Sequence, residues 1–317
     1  MNFAITGVAG YIAPRHLKAI RDVGGNLIAA LDPHDAVGVL DQYFPSVRYF
    51  TEFERFDRDL EKLRRQGGSS RIHYLTVCSP NYLHDAHIRA ALRVEADAIC
   101  EKPLVLNPWN LDALAELEKE YGKRVYTILQ LRVHPAILAI REQYGKDRAK
   151  RHQINLTYIT SRGNWYLTSW KGNIERSGGL ATNIGVHFFD MLQWIFGKTT
   201  RSEVHFSSPT TMSGFLELEN ADVHWYLSID SENLPSNCKE KNQRTFRSIT
   251  IDGAEVEFSD GFADLHTNVY REILAGKGHG IEDARASIEL VHQIRVAKAN
   301  PSSKNLHPYF REKHGKP

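Results

Sequence analysis

The chain has 317 residues, of which 40 are Lys or Arg and 38 are Asp or Glu, and this balance argues against nucleic-acid binding. A hydrophobic share of 42% and a charged share of 25% are typical of a globular protein, and the length favours two domains. No apolar run is long enough to cross a bilayer, no leader precedes the first predicted strand, and the three cysteines form no C-x-x-C pair. We therefore expect a soluble, cytoplasmic protein with reduced thiols that does not bind a membrane.

The first part of the chain alternates short apolar strands with helical stretches. The predicted strands are Phe3–Thr6, Leu27–Leu31, Val47–Phe50, Ile72–Cys78, Ala96–Cys100 and Val125–Leu129. The predicted helices are Ile12–Val23, Ala36–Tyr43, Glu54–Arg65, Leu83–Val94 and Leu111–Tyr121. Strands that alternate with helices indicate βαβ units, so we predict an α/β domain with a doubly wound parallel sheet over residues 1–130.

The pattern changes after about residue 150, where alternating strands predominate. The predicted strands are Ile154–Ser161, Ser202–Ser207, Thr211–Leu218, Val223–Ile229, Phe246–Ile251 and Ala254–Phe258, with a tight hairpin at Asp252-Gly253. The predicted helices Leu180–Ile195, Asp264–Leu274 and Ile281–Ala299 would cover one face of a largely antiparallel or mixed sheet and leave the other open. We therefore predict an α+β domain over residues 131–317, in which the segment from Pro301 is either a polar tail or an ordered extension.

A glycine-rich turn follows the first predicted strand. Residues 7–13 read Gly-Val-Ala-Gly-Tyr-Ile-Ala, which departs from G-x-G-x-x-G because Ala9 occupies the second glycine position. These small residues still let backbone amides and a helix N-terminus approach a pyrophosphate. Asp32 ends the second predicted strand, at the separation expected for an acid that binds the ribose hydroxyls of NAD and repels the phosphate of NADP. Alternatively, Asp32 only forms the turn before Pro33.

Two further predicted strands end in polar residues. Ser79–His84 follows one of them, and Glu101-Lys102-Pro103 ends the next. The carboxyl ends of parallel strands line the ligand crevice, so both segments are expected beside the cofactor, where a lysine can serve as a general acid or base. The alternatives are a polar helix cap for the first segment and a surface ion pair for the second.

Together these motifs resemble the Gfo/Idh/MocA family of sugar oxidoreductases. The resemblance rests on residues 7–13, Asp32, Ser79–His84, above all Glu101-Lys102-Pro103, and on Gly178–Asp190, which looks like the glycine-rich entry to the family's catalytic helix. It implies an NAD-binding Rossmann domain, and a substrate-binding domain that forms a homo-oligomer, a tetramer or a dimer. The residues that it implies for NAD binding are Gly7, Gly10, Tyr11, Ile12, Asp32, Ser79, Asn81, His84, Glu101, Lys102 and Gln130.

Within the family, the chain resembles the UDP-N-acetyl-2-amino-2-deoxyglucuronate 3-dehydrogenases of bacterial O-antigen (lipopolysaccharide) biosynthesis. The supporting stretches are residues 7–13, Ser161–Tyr166 and Ser169–Gly172. This resemblance implies that NAD oxidises the C3 hydroxyl of UDP-N-acetylglucosaminuronic acid to a ketone, and that 2-oxoglutarate reoxidises the NADH formed.

The proposed proton-transfer residues are Lys102 and His187. Lys102 would accept the hydroxyl proton, His187 would hydrogen-bond the same oxygen, and Glu101 would position the cofactor or Lys102. Asn183 lies four residues before His187 on a predicted helix, so the two would share one face. The family often carries aspartate at the position of Asn183. Asparagine removes a negative charge that would stabilise protonated Lys102, so the neutral amine forms more easily.

The substrate of this subfamily carries a carboxylate and a diphosphate, so cations and aromatic rings are expected in its site. Arg162 and Lys171 are the predicted anion partners, and Trp165, Tyr166 and Trp170 are candidates for stacking on sugar or uracil. Their alternative role is packing on the sheet. The residues predicted to bind substrate are Arg162, Asn164, Trp165, Tyr166, Lys171, Asn183 and His187, and Gln130 and His134 are further candidates for the cleft.

No metal is predicted, because none of the fifteen histidines shows H-E-x-x-H or another recognised ligand spacing. Two other functions stay open from the sequence. One is a dehydrogenase of inositol, a free sugar or another sugar nucleotide, because loops form the pocket walls. The other is a non-catalytic NAD-sensing regulator, which the presence of both Lys102 and His187 disfavours.

Overall fold

The computed structural model describes residues 1–145, 150–256 and 263–314, which form two compact units. One unit comprises Met1–Val133 and Ala263–Arg285, and the other comprises His134–Phe262 and Ala286–Pro317. Residues 263–285 therefore group with the N-terminal unit, although the boundary predicted at residue 130 assigned them to the C-terminal domain.

The strands are β1 (Asn2–Thr6), β2 (Asn26–Leu31), β3 (Arg48–Phe50), β4 (Tyr74–Val77), β5 (Asp97–Cys100), β6 (Val125–Thr127), β7 (His152–Thr160), β8 (Thr199–Ser207), β9 (Thr211–Leu218), β10 (Ala221–Ser228), β11 (Thr245–Ile251) and β12 (Ala254–Glu255). The helices are α1 (Ala13–Asp22), α2 (Val39–Tyr43), α3 (Phe53–Gln66), α4 (His84–Arg93), α5 (Pro108–Tyr121), α6 (Pro135–Tyr144), α7 (Trp165–Thr168), α8 (Ile174–Ser177), α9 (Val186–Phe196), α10 (Ser236–Glu240), α11 (Leu265–Leu274), α12 (Ile281–Val296) and α13 (Pro308–His314). Among the described residues, none of these helices combines the length and the apolar character needed to span a membrane.

The first sheet confirms the predicted doubly wound parallel arrangement. Its strand order is β3-β2-β1-β4-β5-β6, and every strand pair is parallel. The order reverses between β1 and β4, and in such sheets ligands bind at the carboxyl ends of the strands beside this point. Gly7, Cys78 and Glu101 directly follow β1, β4 and β5, so the topology brings the predicted cofactor residues to one edge of the sheet.

Helix α11 explains why residues 263–285 belong to the first unit. We predicted that Asp264–Leu274 covers the second sheet, and this prediction was wrong. Val269, Tyr270 and Ile273 instead pack in the core of the first unit with Leu17 of α1. An apolar stripe shows which face of a helix is buried, but it does not show which surface buries it.

The second sheet confirms a mixed, mostly antiparallel arrangement. Its order is β12-β11-β7-β10-β9-β8, and β7 pairs with β10 in parallel. The predicted hairpin is present, because Asp252 and Gly253 have φ values of 51° and 84° and Ile251 pairs with Ala254. The predicted strand Ala254–Phe258 ends at Glu255, and its positions 257 and 258 lie outside the described residues.

Helices α6, α7, α8, α10 and α13 were not predicted from the sequence, and α7, α8 and α10 have only four or five residues. The sequence does contain features typical of a helix start at α6. Pro135 occupies its first turn, and His134 Nδ1 accepts a hydrogen bond of 3.2 Å from the Ala136 amide at its N-cap.

The segment from Pro301 is an ordered extension as far as residue 314, rather than a polar tail. Leu306 and Phe310 are buried and pack against Ile159 and Tyr226 of the second sheet. The burial of these two apolar side chains distinguishes the extension from a solvated tail.

Acid is expected to destabilise this extension through His307. The Tyr309 amide donates to its Nδ1 at 3.0 Å, and burial beside His224 lowers the pKa of His307 to about 3. The unfolded imidazole has a pKa near 6.5, so this contribution to stability is complete above that pH and is lost as pH falls towards 3. The variant His307→Gln should therefore reduce the loss of unfolding free energy between about pH 7 and 5 by about 2 kcal/mol, measured by urea denaturation. Identical pH dependence in both proteins would contradict this.

Candidate active site

The turn between β1 and α1 requires glycine at position 7. Gly7 has a φ of +79°, and a Cβ added to it would lie 2.5 Å from the backbone of Cys78 and of Ser79. The Gly10 amide donates to the Gly7 carbonyl at 3.0 Å, and the Ala13 amide donates to the Gly10 carbonyl at 3.1 Å. The turn therefore leads directly into the N-terminus of α1, the arrangement that binds a phosphate. Tyr11 and Ile12, which are also predicted to bind NAD, lie in this turn, and Tyr11 is exposed.

Asp32 ties the glycine-rich turn to the end of β2. Its Oδ2 accepts from the Ala9 amide at 3.0 Å, and its Oδ1 accepts from the His34 amide at 3.0 Å. The second contact is the turn-forming role considered above. Each carboxylate oxygen has a second lone pair, so these bonds leave Asp32 able to accept from ribose hydroxyls.

We expect Asp32 to select NAD over NADP. A buried carboxylate at this position accepts hydrogen bonds from the two ribose hydroxyls and repels the additional phosphate of NADP. Isothermal titration should show weaker binding of NADP, and Asp32→Ala should narrow the difference between the two cofactors. Tighter binding of NADP to the wild-type protein would refute the assignment.

Two buried histidines, His84 and His87, lie in the first turn of α4, next to the loop after β4. His87 Nδ1 lies 2.9 Å from Ser79 Oγ and 3.1 Å from Thr6 Oγ1, and its ring stacks on Phe53. Burial and the neighbouring His84 lower the pKa of His87 to about 4, so the ring stays neutral at physiological pH. Ser79 and Asn81, which we predicted to bind cofactor, are both buried in this loop.

His84 joins this loop to the loop after β5. Its Nδ1 lies 2.7 Å from the Pro103 carbonyl oxygen, and its Nε2 lies 2.9 Å from the Ser79 carbonyl oxygen. Carbonyls only accept, so a neutral ring donates to one of them at a time, and burial lowers the pKa of His84 despite these bonds. Both ring nitrogens thus face protein carbonyls, and the cofactor role of His84 stays a prediction.

Glu101 is buried and receives two histidines. His16 Nε2 of α1 and His266 Nε2 of α11 each lie 2.9 Å from its Oε1. Burial raises the pKa of the Glu101 carboxyl, but the bonds to both histidines outweigh burial and hold it well below its usual range. Glu101 is therefore ionised, and the surface ion pair considered as its alternative is wrong.

Neither His16 nor His266 was predicted to belong to the site. A signal existed for His16, because it lies between Ala13 and Leu17 on the buried face of α1, where a polar side chain needs a partner. These histidines and Glu101 are the one group of potential metal ligands found among the described residues. Both histidine Nε2 atoms lie at hydrogen-bond distance from Glu101 Oε1, and His16 Nδ1 lies 2.9 Å from Tyr270 Oη.

Lys102 is half-buried, and its backbone amide donates to Glu101 Oε2 at 3.2 Å before a cis peptide bond to Pro103. Gln130 begins the 3₁₀ turn Gln130–Val133 that follows β6. Its Oε1 is buried without a hydrogen-bond partner among the described residues. A buried amide oxygen that lacks a donor fits a residue that receives a ligand N–H group.

In the second unit, Gly178 and Gly179 have φ values of 82° and 80° and lead into a π-helical turn over Ala181–Gly185. Helix α9 starts only at Val186, so the predicted α-helix Leu180–Ile195 was wrong over its first turn. The stretch from Asn183 to His187 therefore crosses from π to α geometry, so α-helical spacing does not place the two side chains on a shared face. Such π turns are frequent at functional sites.

Asn183, which we predicted to bind substrate, forms a hydrogen bond with Tyr166. Its Nδ2 donates to Tyr166 Oη at 2.6 Å, and both side chains are buried. Burial raises the pKa of Tyr166 against the opposing effects of Asn183 and Arg162. His187 is half-buried in the first turn of α9, and His134 caps α6.

Arg162 and Lys171 form a cationic region beside two indole rings. Lys171 Nζ lies 4.3 Å from the Trp170 ring centroid and 5.8 Å from that of Trp165. Burial, and then the charge of Arg162, lower the pKa of Lys171. Among the residues that the structure describes, no carboxylate pairs with either cation. Trp165 and Asn164 are exposed, and the Asn164 carbonyl accepts from Leu167 in the first turn of α7.

Comparisons with known proteins agree with this arrangement. Residues 1–129 match the family model described as the oxidoreductase family, NAD-binding Rossmann fold, and residues 151–237 match its C-terminal alpha/beta domain. The chain is 24% identical over 201 residues to inositol 2-dehydrogenase of Rhizobium meliloti, covering 62% of this chain and 56% of that protein. It spans at most half of the length of four further curated relatives.

Two crystal structures of the WlbA (WbpB) dehydrogenase from Thermus thermophilus match almost the whole chain. The complex with NAD and alpha-ketoglutarate is 52% identical, with a TM-score of 0.94, and the match covers 98% of this chain and 99% of that one. The complex with NAD and UDP-GlcNAcA is 51% identical, with a TM-score of 0.93 and the same coverage. The protein therefore belongs to the Gfo/Idh/MocA family of oxidoreductases, with an NAD-binding Rossmann domain and the family's C-terminal α/β domain.

Proposed function

We propose that the protein is an NAD-dependent dehydrogenase that oxidises the C3 hydroxyl of UDP-N-acetylglucosaminuronic acid to a 3-keto sugar nucleotide. The observation that carries this proposal is the likeness over 98% of the chain to a dehydrogenase crystallised with NAD and UDP-GlcNAcA. The presence of Lys102 and His187 supports an enzyme rather than an NAD-sensing regulator, because a sensor does not need proton-transfer groups.

The residues of the first unit fit NAD. Gly7 permits the tight turn that leads into α1, α1 offers its N-terminus, and Asp32 offers carboxylate oxygens. The unpartnered Gln130 amide oxygen can accept from a further N–H group of the ligand. NAD, when bound, supplies the hydride acceptor for the oxidation.

Lys102 and His187 have different roles at the substrate C3 hydroxyl group. The Lys102 amine accepts the C3 hydroxyl proton, and the His187 ring hydrogen-bonds the same oxygen and orients it. Asn183 supplies no negative charge that would favour protonated Lys102, and its amide instead donates to Tyr166.

The cationic region formed by Arg162 and Lys171 supports an anionic substrate. The positive charges of Arg162 and Lys171 repel each other, and a bound carboxylate or diphosphate would offset this repulsion. Arginine also binds a carboxylate through two hydrogen bonds. The same chemistry suits 2-oxoglutarate, which we propose reoxidises the NADH formed.

We further propose that the protein acts in the cytoplasm, as a dimer or tetramer, in O-antigen (lipopolysaccharide) sugar synthesis. Its three buried free thiols support a reducing compartment.

Arg162 is expected to recognise the sugar carboxylate. The variant Arg162→Ala should lower kcat/KM for the uronate by about 10- to 100-fold, and it should affect the neutral UDP-N-acetylglucosamine much less. Arg201→Ala is the matched control, because Arg201 already pairs with Glu203. Equal losses on the uronate and on the neutral sugar nucleotide would argue against the assignment.

A substrate panel tests the proposed function against its alternatives. The protein would be incubated with NAD and 2-oxoglutarate and with either UDP-N-acetylglucosaminuronic acid, UDP-N-acetylglucosamine, myo-inositol or glucose, and the products would be analysed by mass spectrometry. We expect a product two mass units lighter chiefly from the uronate, with much slower oxidation of UDP-N-acetylglucosamine and none of myo-inositol or glucose. Faster oxidation of inositol or of a free sugar would replace the proposed substrate.

A further inference from the structure

Five buried side chains form a hydrogen-bond network next to Lys102 in the chain. Thr76 Oγ1 lies 2.8 Å from Tyr270 Oη, which lies 2.9 Å from His16 Nδ1. His16 Nε2 and His266 Nε2 each lie 2.9 Å from Glu101 Oε1. All five side chains are at most 6% exposed, so no bulk water substitutes for a missing partner. Residues from β4, α1, α11 and the loop after β5 thus meet at one carboxylate.

Ionised Glu101 and neutral His16 give an arrangement of protons that satisfies every contact. The Glu101 carboxylate only accepts, so both histidine Nε2 atoms carry hydrogens. Neutral His16 then has a bare Nδ1, which accepts from the Tyr270 hydroxyl, and the Tyr270 oxygen accepts from Thr76. This arrangement requires ionised Glu101 and neutral His16, in agreement with the lowered pKa of each group.

The network fixes the backbone around Lys102. Glu101 Oε1 is held by the two histidines, so its Oε2 is oriented to accept from the Lys102 amide at 3.2 Å. On the other side of Lys102, the Pro103 carbonyl oxygen lies 2.7 Å from His84 Nδ1. Polar contacts on both sides therefore leave this tripeptide little freedom.

We propose that His16, His266 and Tyr270 are positioning residues, which act through Glu101 to hold Lys102 in the orientation needed for proton transfer. This inference rests on the proposed function of Lys102. A base that is misplaced by a fraction of an ångström loses rate without losing affinity for substrate. Helix α11 lies more than 160 residues after Glu101 in the chain, so the network also ties the geometry of the site to a distant segment.

Matched variants separate positioning from general stability. His266→Ala should lower kcat by about 10- to 100-fold and leave KM for the sugar nucleotide and Kd for NAD nearly unchanged. His266→Gln retains an N–H donor and should recover kcat to within about threefold of wild type. The control is His205→Ala, which removes another buried histidine bonded to a glutamate, Glu203, at 3.0 Å. It should lower the Tm comparably and leave kcat unchanged.

Two further results would overturn the proposal. One is a His266→Ala enzyme with wild-type kcat, or one whose kcat falls no further than that of His205→Ala. The other is a stoichiometric metal ion, found by elemental analysis and lost from the His266→Ala variant, because a metal would replace the assigned protons. A wild-type protein without activity on the uronate would count against the proposed function instead. The ¹⁵N shifts of labelled His16 would still test the network, which predicts a neutral Nε2–H ring; the opposite tautomer would refute it.

Discussion

Lys102→Ala is expected to bind NAD as the wild-type protein does and to lose about 10²- to 10⁴-fold in kcat. The loss follows from removal of the proposed base, since the backbone turn that holds Lys102 is maintained by Glu101 and Pro103. Steady-state kinetics and NAD titration measure the two effects separately.

A small amine makes this test specific for proton transfer. Added methylamine should restore part of the turnover of Lys102→Ala, because the truncated side chain leaves room for another nitrogen base. Lys119→Ala, at an exposed position of α5, is the matched control and should behave as wild type. Near-wild-type turnover of Lys102→Ala would remove Lys102 from the mechanism.

Gly7→Ala is expected to abolish NAD binding and to destabilise the first unit by more than the roughly 1–3 kcal/mol typical of an unfavourable backbone conformation. The added Cβ would meet the left-handed φ of +79° and also the backbone of Cys78 and Ser79 at 2.5 Å. The carboxyl end of β4 would have to move away from the glycine-rich turn.

Gly24→Ala separates the effect of the backbone conformation from that of the steric clash with Cys78 and Ser79. Gly24 has a similar φ of +71°, but an added Cβ there has no atom within 4 Å. In Gly24→Ala, the free energy of unfolding should fall only by the cost of the left-handed backbone conformation, and NAD should bind normally. Thermal unfolding and NAD titration measure both effects, and equal behaviour of the two variants would contradict a role for close packing at Gly7.

The positions of the proposed cofactor residues along one sheet edge were largely predictable from local sequence. The glycine-rich turn, Asp32 and the Glu101-Lys102-Pro103 segment each follow a predicted parallel strand, and the carboxyl ends of such strands share one edge. The period of the apolar residues therefore fixed both the sheet and the place of these motifs. The pairing of β7 with β10 was not predictable in this way, because a strand pattern does not identify its neighbours.

Long-range polar contacts account for most of what the sequence did not reveal. His266 and Tyr270 belong to α11, whose helical pattern was clear but whose packing partner was not. The bond between Asn183 and Tyr166 depends on a π-helical turn, and α-helical spacing does not predict such a turn.

The most direct test of the account follows the hydrogen at C3. UDP-N-acetylglucosaminuronic acid deuterated at C3 would be incubated with the protein, catalytic NAD and excess 2-oxoglutarate. We predict a 3-keto sugar nucleotide without deuterium, and 2-hydroxyglutarate that carries one deuterium at C2. Deuterium retained in the sugar nucleotide, in a protein that binds NAD normally, would contradict oxidation at C3 as the function of this protein.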